Sequence, residues 1–210
     1  MHSPSTATPE AAETIIAAAR RLLTQRTSPL LIALDGPSGS GKSTLAGMVA
    51  EALDATVVPS DDFFAAEITD AEWDMRSPRD RAATALDWRR LRGEALEPLL
   101  AGRSAQWHAF DFEAGVRADG TYGMRAALTK RHPAAVIVLD GAYSARPELA
   151  DLIDLTVLVD APLQFRHARL AAREAACFLE AWHRRWDDAE AHYFTHVRPP
   201  SSFDLVVSTA

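Results

Sequence analysis

The sequence predicts an α/β fold in three layers, with about five mostly parallel strands and helices on both faces. Three observations predict it. Short continuous apolar runs, such as Leu30-Leu31-Ile32-Ala33-Leu34 and Ala135-Val136-Ile137-Val138-Leu139, have the length and composition of strands buried on both faces. Stretches with helical periodicity separate these runs, the pattern of βαβ units around a parallel sheet. A glycine-rich run, Gly36 to Thr44, follows the first apolar run directly and leads into a helical stretch.

In chain order, residues 1 to 8 are rich in Ser, Thr and Pro and predict a disordered tail. Pro9 to Gln25 predicts an amphipathic helix with Ile15, Ile16, Ala19, Leu22 and Leu23 on one face, broken by Thr27, Ser28 and Pro29. Leu30 to Leu34 predicts the first strand, between Pro29 and Gly36. Lys42 to Leu53 predicts a helix, and Thr56 to Val58 a second strand ending at Ser60-Asp61-Asp62. Residues 65 to 85 are mixed and polar, a loop with helical pieces. Leu86 to Leu100 predicts a helix ended by Gly102. Ala135 to Leu139 closes on Asp140-Gly141, and Leu155 to Val159 closes on Asp160. Gln164 to Trp186 predicts a long helical stretch rich in Arg and Ala, and Phe203 to Val207 a last strand. No internal repeat or domain-scale linker interrupts this order, so residues 9 to 210 are expected to form one domain.

Bulk composition excludes several classes. The chain has 210 residues, 48% hydrophobic and 24% charged, which suits one α/β domain with a sizeable core. Its net charge of -7 argues against a nucleic-acid partner. No apolar run approaches the roughly 18 residues of a membrane span, and the start of the chain lacks a secretory signal. The only cysteine, Cys177, forms no disulfide within the chain and fits a reducing, cytoplasmic setting. The expected partner is a small-molecule substrate, with no membrane or nucleic acid; a homo-oligomer is left open.

Gly36-Pro37-Ser38-Gly39-Ser40-Gly41-Lys42-Ser43-Thr44 contains G-x-x-x-x-G-K-[ST] in full, with the strand before it and the helix after it that the motif needs. The three glycines allow backbone turns that aim successive N–H groups inward at phosphate oxygens. The following helix N-terminus adds unpaired N–H groups and a favourable dipole. Lys42 is expected to reach the β- and γ-phosphates of ATP, and the Ser43 hydroxyl to hold Mg²⁺.

The loop binds a triphosphate; other residues must select the reaction. Asp61 follows the second strand, at the carboxyl edge where ligand crevices open, and is the candidate base and a candidate Mg²⁺ partner. Asp62 is its neighbour and a candidate acceptor ligand. Asp140, at the end of an apolar strand, is positioned to hold Mg²⁺ or its water shell. Arg166, Arg169 and Arg173 recur at spacings of three and four, so one helix face would carry all three as a lid over the phosphates. Arg117 is a candidate partner for an acidic acceptor. His192 and His196 are four apart, but no Glu follows His192, so H-E-x-x-H is absent.

These pieces together resemble the uridine kinase-like group of P-loop small-molecule kinases, which includes pantothenate kinase and phosphoribulokinase relatives. The resemblance runs from about Leu30 to Val207. Asp61-Asp62-Phe63-Phe64 is similar to the family's D-S-F-Y run and puts Asp61 on its catalytic acid. Phe110-Asp111-Phe112 resembles its Y-D-F run, Asp140-Gly141 its E-G pair, and the arginines its lid. The resemblance implies phosphoryl transfer from ATP with Mg²⁺ to a hydroxyl of a small molecule. It also implies an acceptor side near Phe110 and Asp111, with Asp74 or Asp80 as the carboxylate gripping sugar hydroxyls. The family's pyrimidine-reading His corresponds to Gly115 here, and its base-side Tyr to Phe110, so uridine is not the implied acceptor. Sugar, pantothenate-like and antibiotic-like acceptors stay open, as does an ATPase or nucleotide-dependent regulator that gives phosphate only to water.

Overall fold

A computed structural model describes residues 7–172 and 176–210. Arg173, one of the three expected lid arginines, lies outside the described residues, as do the side chains of Cys177 and Trp182. Five parallel strands form the central sheet: β1 (Leu30–Asp35), β2 (Thr56–Pro59), β5 (Val136–Asp140), β6 (Leu155–Asp160) and β7 (Leu205–Ser208), in the order β2-β5-β1-β6-β7. The registers Leu31↔Ile137 and Leu34↔Val157 set β1 between β5 and β6.

The strands are continuous apolar runs because both sheet faces are covered. All six residues of β1 and all five of β5 are buried. Side chains alternate across a strand. Leu30, Ile32 and Leu34 therefore share a core with Ile15 and Ala19 of α1 (Ala7–Leu23) and with Leu45 and Val49 of α2 (Lys42–Leu53). Leu31, Ile137 and Leu139 face the other way, onto Leu91, Leu96 and Leu99. Burying one such leucine contributes about 1.5–3 kcal/mol, which locks the sheet between its two helical layers.

α3 (Asp70–Met75) and α4 (Pro78–Thr84), whose Trp73 and Ala82 pack in a separate cluster with Tyr143, Trp186 and Tyr193, precede a continuous helical run over 88–100 on that second face. The run comprises α5 (Trp88–Arg90), a π-helical turn Leu91–Leu96 and α6 (Glu97–Leu100). Pro98 lacks the N–H that would bond the Glu94 carbonyl, and the widened turn spans that position.

One element was not anticipated. β3 (Ala105–Phe110) and β4 (Met124–Arg131) pair antiparallel as a separate two-stranded sheet. Trp107 inserts beneath it, its ring 5.3 Å from Phe63, and its indole N–H donates to Asp62 at 2.8 Å. The expected helical stretch from Gln164 corresponds to α7 (Leu163–Ala171) and α8 (Ala176–His192), on either side of residues 173–175.

Candidate active site

The phosphate-binding loop lies between β1 and α2. Gly39 has φ +77°, and a Cβ there would come 2.6 Å from the Arg166 carbonyl oxygen, so only glycine lets α7 approach this closely. The Lys42 ammonium donates to the carbonyls of Gly36 at 2.7 Å and Pro37 at 3.0 Å. The loop is braced from outside by Thr209, whose hydroxyl donates to the Ser40 carbonyl at 2.6 Å. Ser38 donates its backbone N–H and its hydroxyl to Glu190 of α8, at 2.9 and 2.5 Å. Ser43 and Thr44, in the first turn of α2, are exposed.

Asp35, the last residue of β1, is fully buried and was not singled out from the sequence. It accepts the N–H groups of Gly36, Tyr143 and Ala145 and the Tyr193 hydroxyl, at 2.8–2.9 Å. Burial pushes its carboxyl up, while the Ala145, Tyr193 and Gly36 bonds pull back. One side chain thus ties the phosphate loop to the 141–145 turn and to the end of the α8 segment.

Asp140 is buried at the end of β5, hydrogen-bonded to the Ser43 side chain. Burial raises its pKa; the Ser43 bond and the Lys42 charge lower it. Its Oδ1 is buried without a hydrogen-bond partner. A hydroxyl and a carboxylate side by side, with one orphaned oxygen, are the hard oxygen donors that Mg²⁺ accepts, so the residues present fit that ion. The next residue, Gly141, has φ +143°, and a Cβ on it would lie 1.9 Å from Ser60 Oγ and 3.3 Å from Asp61 Oδ1. Only a glycine lets the Ser60–Phe63 turn close against Asp140. That places the exposed Asp61 carboxylate beside the expected metal position.

The arginines of α7 hold the loop's outer side. Arg166 donates to the Ser38 carbonyl at 3.3 Å and pairs with Glu190 at 3.4 Å. Arg169 donates to the carbonyls of Gly39 and Ser40 at 3.3 and 3.2 Å and to Thr209.

A cavity of about 320 Å³ opens beyond the Ser60–Phe63 turn. Its walls are aromatic: Phe64, Trp73, Phe110, Phe112, Tyr122 and Trp186. Gly115 also lines it, and its polar groups come from Asp70 and Arg185. The Tyr122 hydroxyl donates to Asp70 Oδ1 at 2.6 Å, and Arg185 donates to the same oxygen at 2.7 Å. Burial and the Asp70 bond push the Tyr122 phenol up to about 12.

The other expected acceptor ligands have different surroundings. Asp62 is engaged by Trp107. Asp74 is exposed and accepts Arg185 Nε at 2.9 Å; that bond holds its carboxyl below the usual range. Asp80 accepts the Ser77 hydroxyl at 2.7 Å at the start of α4. Asp111 caps the backbone of Glu113 and Ala114, and Arg117 is exposed beside Gly123. Phe110 lies in the cavity wall. Asp70, Trp73, Tyr122, Arg185 and Trp186 went unread as site residues. The only signal for Trp73, Tyr122 and Trp186 was the recurrence of large aromatics in polar segments, which also signals packing, and nothing local marked Asp70 or Arg185.

Fold and loop together define the class: a P-loop nucleotide-binding enzyme built on a kinase architecture. Residues 31–195 match the family model of the AAA domain, and the chain belongs to that family. Uridine kinases of Borrelia duttonii (strain Ly) and Borrelia recurrentis (strain A1) are each 25% identical to it over 186 residues, 84% of this chain and 85% of theirs. Its fold is similar to that of a candidate uridine kinase from Bacillus stearothermophilus, with TM-score 0.71, 18% identity and coverage of 95% and 98% of the two chains. It is also similar to a candidate fructose transport system kinase from Silicibacter sp. TM1040, with TM-score 0.66, 25% identity and coverage of 93% and 98%. The resemblance to uridine kinase-like P-loop kinases therefore stands. No helix among the described residues is long and apolar enough to cross a membrane.

Proposed function

We propose that the protein is an ATP-dependent kinase that moves the γ-phosphoryl group to a hydroxyl of a small, hydroxyl-bearing ring compound. One observation carries this reading. The Ser60–Phe63 turn sets Asp61 against the Asp140-Gly141 corner at one end and leads directly into Phe64, a wall of the cavity, at the other. A carboxylate between a phosphate site and an organic pocket is the arrangement that in-line transfer to an alcohol needs.

On this reading Lys42 leaves the Gly36 and Pro37 carbonyls and takes the β- and γ-phosphate oxygens, with the loop N–H groups holding the rest. Asp61 accepts the proton of the acceptor hydroxyl as it attacks. Ser43 and Asp140, with Asp61 as a further candidate, would hold Mg²⁺, which would supply neutralisation of the phosphate charge. Arg166 and Arg169 hold the loop through its Ser38, Gly39 and Ser40 carbonyls and are the proposed lid cations. Arg173 belongs to the same proposed lid. Closing it excludes water, the competing acceptor.

Aromatic walls with one carboxylate suit the apolar faces and hydroxyl edges of a sugar ring, free or in a nucleoside. In this reading Asp70, which lines the cavity, is a further candidate beside Asp74 and Asp80 for the carboxylate that grips acceptor hydroxyls. Gly115 in the wall supplies no imidazole to read a pyrimidine, and Phe110 no hydroxyl, so uridine is disfavoured. The 25% identity to a candidate fructose transport system kinase favours a free sugar as the second reading within this class. The single cysteine is consistent with a cytoplasmic enzyme.

The test is ADP release across a library of sugars, nucleosides and pantothenate-like acids, with ATP and GTP as donors. Release that rises only with one acceptor class is expected. Release independent of every acceptor would replace the kinase reading with nucleotide hydrolysis.

A further inference from the structure

Away from the phosphate loop, three side chains meet between the two helices that follow β6. His167 lies on α7; His183 and Asp187 lie four residues apart on α8, hence on one face of it. Asp187 Oδ2 is 3.3 Å from His167 Nε2 and 3.1 Å from His183 Nδ1, and the three ligand atoms all lie within 4.8 Å of one another. Zinc bonded to imidazole nitrogen and carboxylate oxygen at about 2.0–2.1 Å in a tetrahedron separates its ligand atoms by about 3.3–3.4 Å. The two measured separations already approach that spacing.

His183 Nδ1 is also within hydrogen-bond distance of Asp187 Oδ1, at 3.2 Å, but two further features mark a ligand position beyond that bond. His167 Nε2 is buried and has no hydrogen-bond partner, although the carboxylate is beside it. The two imidazole rings sit with centroids 4.0 Å apart. Protonating both would place two cations in contact against one carboxylate. A single dication with both rings neutral meets every group at once. The side chains are 24–37% exposed, which leaves an entry path and room for water as a fourth ligand. Two imidazoles and one carboxylate select a borderline cation such as Zn²⁺ over Mg²⁺.

We propose that His167, His183 and Asp187 form a zinc-class transition-metal site that clamps α7 to α8. The clamp joins functional halves. α7 carries Arg166 and Arg169, bonded to the phosphate loop. α8 carries Arg185 and Trp186 in the cavity and Glu190 on Ser38. Fixing one helix against the other sets the arginine face relative to the cavity.

The test uses untagged full-length chain stripped with a chelator and titrated with Co²⁺, whose visible absorption reports a low-symmetry nitrogen/oxygen site, and then with Zn²⁺. The expected result is one equivalent of Co²⁺ per chain, displaced by Zn²⁺ and unaffected by excess Mg²⁺. His183→Ala and the near-isosteric Asp187→Asn should each weaken binding by more than the roughly tenfold typical of losing a supporting partner. His196→Ala, in the separate stacked pair with His192, should bind as the parent does. Zn²⁺ should raise the Tm of the parent and leave that of His183→Ala unchanged. No binding by the intact chain, undiminished binding by both cluster variants, or loss confined to His196→Ala would each overturn the proposal. None of these readouts depends on kinase activity.

Discussion

The Lys42 ammonium bonds the carbonyl oxygen of Gly36 at 2.7 Å, so the loop's cation is held by the loop itself. Lys42 is only 8% exposed, so its charge is stored where a triphosphate would sit and is satisfied until one arrives. Replacing it with Ala removes the contact and leaves the glycine turns intact. Lys42→Ala should keep its far-UV CD spectrum, lose ATP-dependent turnover by at least roughly a hundredfold, and show no Tm rise on adding Mg·ATP. Turnover near the parent rate would remove Lys42 from the proposed role.

Asp61 bears on a different kinetic quantity. Its carboxylate lies against Gly141, where a Cβ would come within 3.3 Å of Asp61 Oδ1, and an amide has nearly the same size and shape. Asp61→Asn should therefore lower kcat by roughly a hundred- to ten-thousandfold while ATP affinity stays within a few-fold of the parent. Isothermal titration with a non-hydrolysable ATP analogue, set beside steady-state rates, separates the two. A parallel loss of ATP binding would mean that Asp61 serves the metal rather than the acceptor hydroxyl.

Much of the fold was legible because its signals are local. Leu30–Asp35 and Val136–Asp140 are buried on both faces, so their apolar runs are uninterrupted and could hardly be anything but central strands. The phosphate loop is a contiguous motif with its own backbone chemistry, so Gly36 to Thr44 could be placed from spacing alone. The β3–β4 hairpin was missed for the opposite reason. β4, with Arg125, Lys130 and Arg131, is largely exposed and carries no apolar alternation. β3 does alternate, with Ala105, Trp107 and Ala109 inward and Gln106 and His108 outward, but over too few residues to outweigh the polar surroundings. The aromatic cavity proposed for the acceptor was illegible because it is assembled from α3, the hairpin and α8. Asp70 and Arg185 are 115 positions apart in the chain, and nothing in either segment announces the other. Asp74, one of the two candidates the family resemblance implies, lies one turn along α3 and is exposed, and it meets Arg185 there.

Asp35 predicts a stability effect. Its four donors are buried and have this carboxylate as their acceptor, so Asp35→Ala strips a partner from three backbone N–H groups and one phenol. Each group left unsatisfied costs about 1–3 kcal/mol, with partial relief where water enters. A loss of about 3 kcal/mol or more is expected in urea unfolding. A loss below about 1 kcal/mol would show that the 141–145 turn holds without it.

The cavity proposed for the acceptor allows binding to be tested apart from donor chemistry. Arg185 holds Asp70 by one nitrogen and Asp74 by another, while Trp186 and Trp73 meet edge to face with ring centroids 5.0 Å apart. Arg185→Met keeps much of the stem and loses the fork. It should free Asp70 to rotate, raising the acceptor KM by roughly tenfold or more with the ATP KM unchanged. If both KM values rise together, α8 acts on the phosphate loop through Glu190 instead.

Tyr122 gives a pH test of the same corner. Burial and the Asp70 bond raise its phenol from the ordinary 10.0 to about 12, and burial also pushes Tyr143 and Tyr193 well above the ordinary value. These are the three tyrosines of the chain. In the unfolded chain each ionises near its ordinary value and in the folded chain later. Between those values the unfolded state therefore holds fewer protons, and stability falls as pH rises. The contribution of Tyr122 is intact below pH 10.0 and is lost as pH climbs to about 12. Near-ultraviolet absorbance should accordingly show little phenolate at pH 11 while the far-UV CD signal is native, then a rise that coincides with unfolding. Tyr122→Phe has no phenol to ionise there, so its stability should fall less steeply over the same interval. A phenolate signal of one group appearing near pH 10 in the folded parent would place Tyr122 in water, and the Asp70 bond would no longer describe the cavity floor.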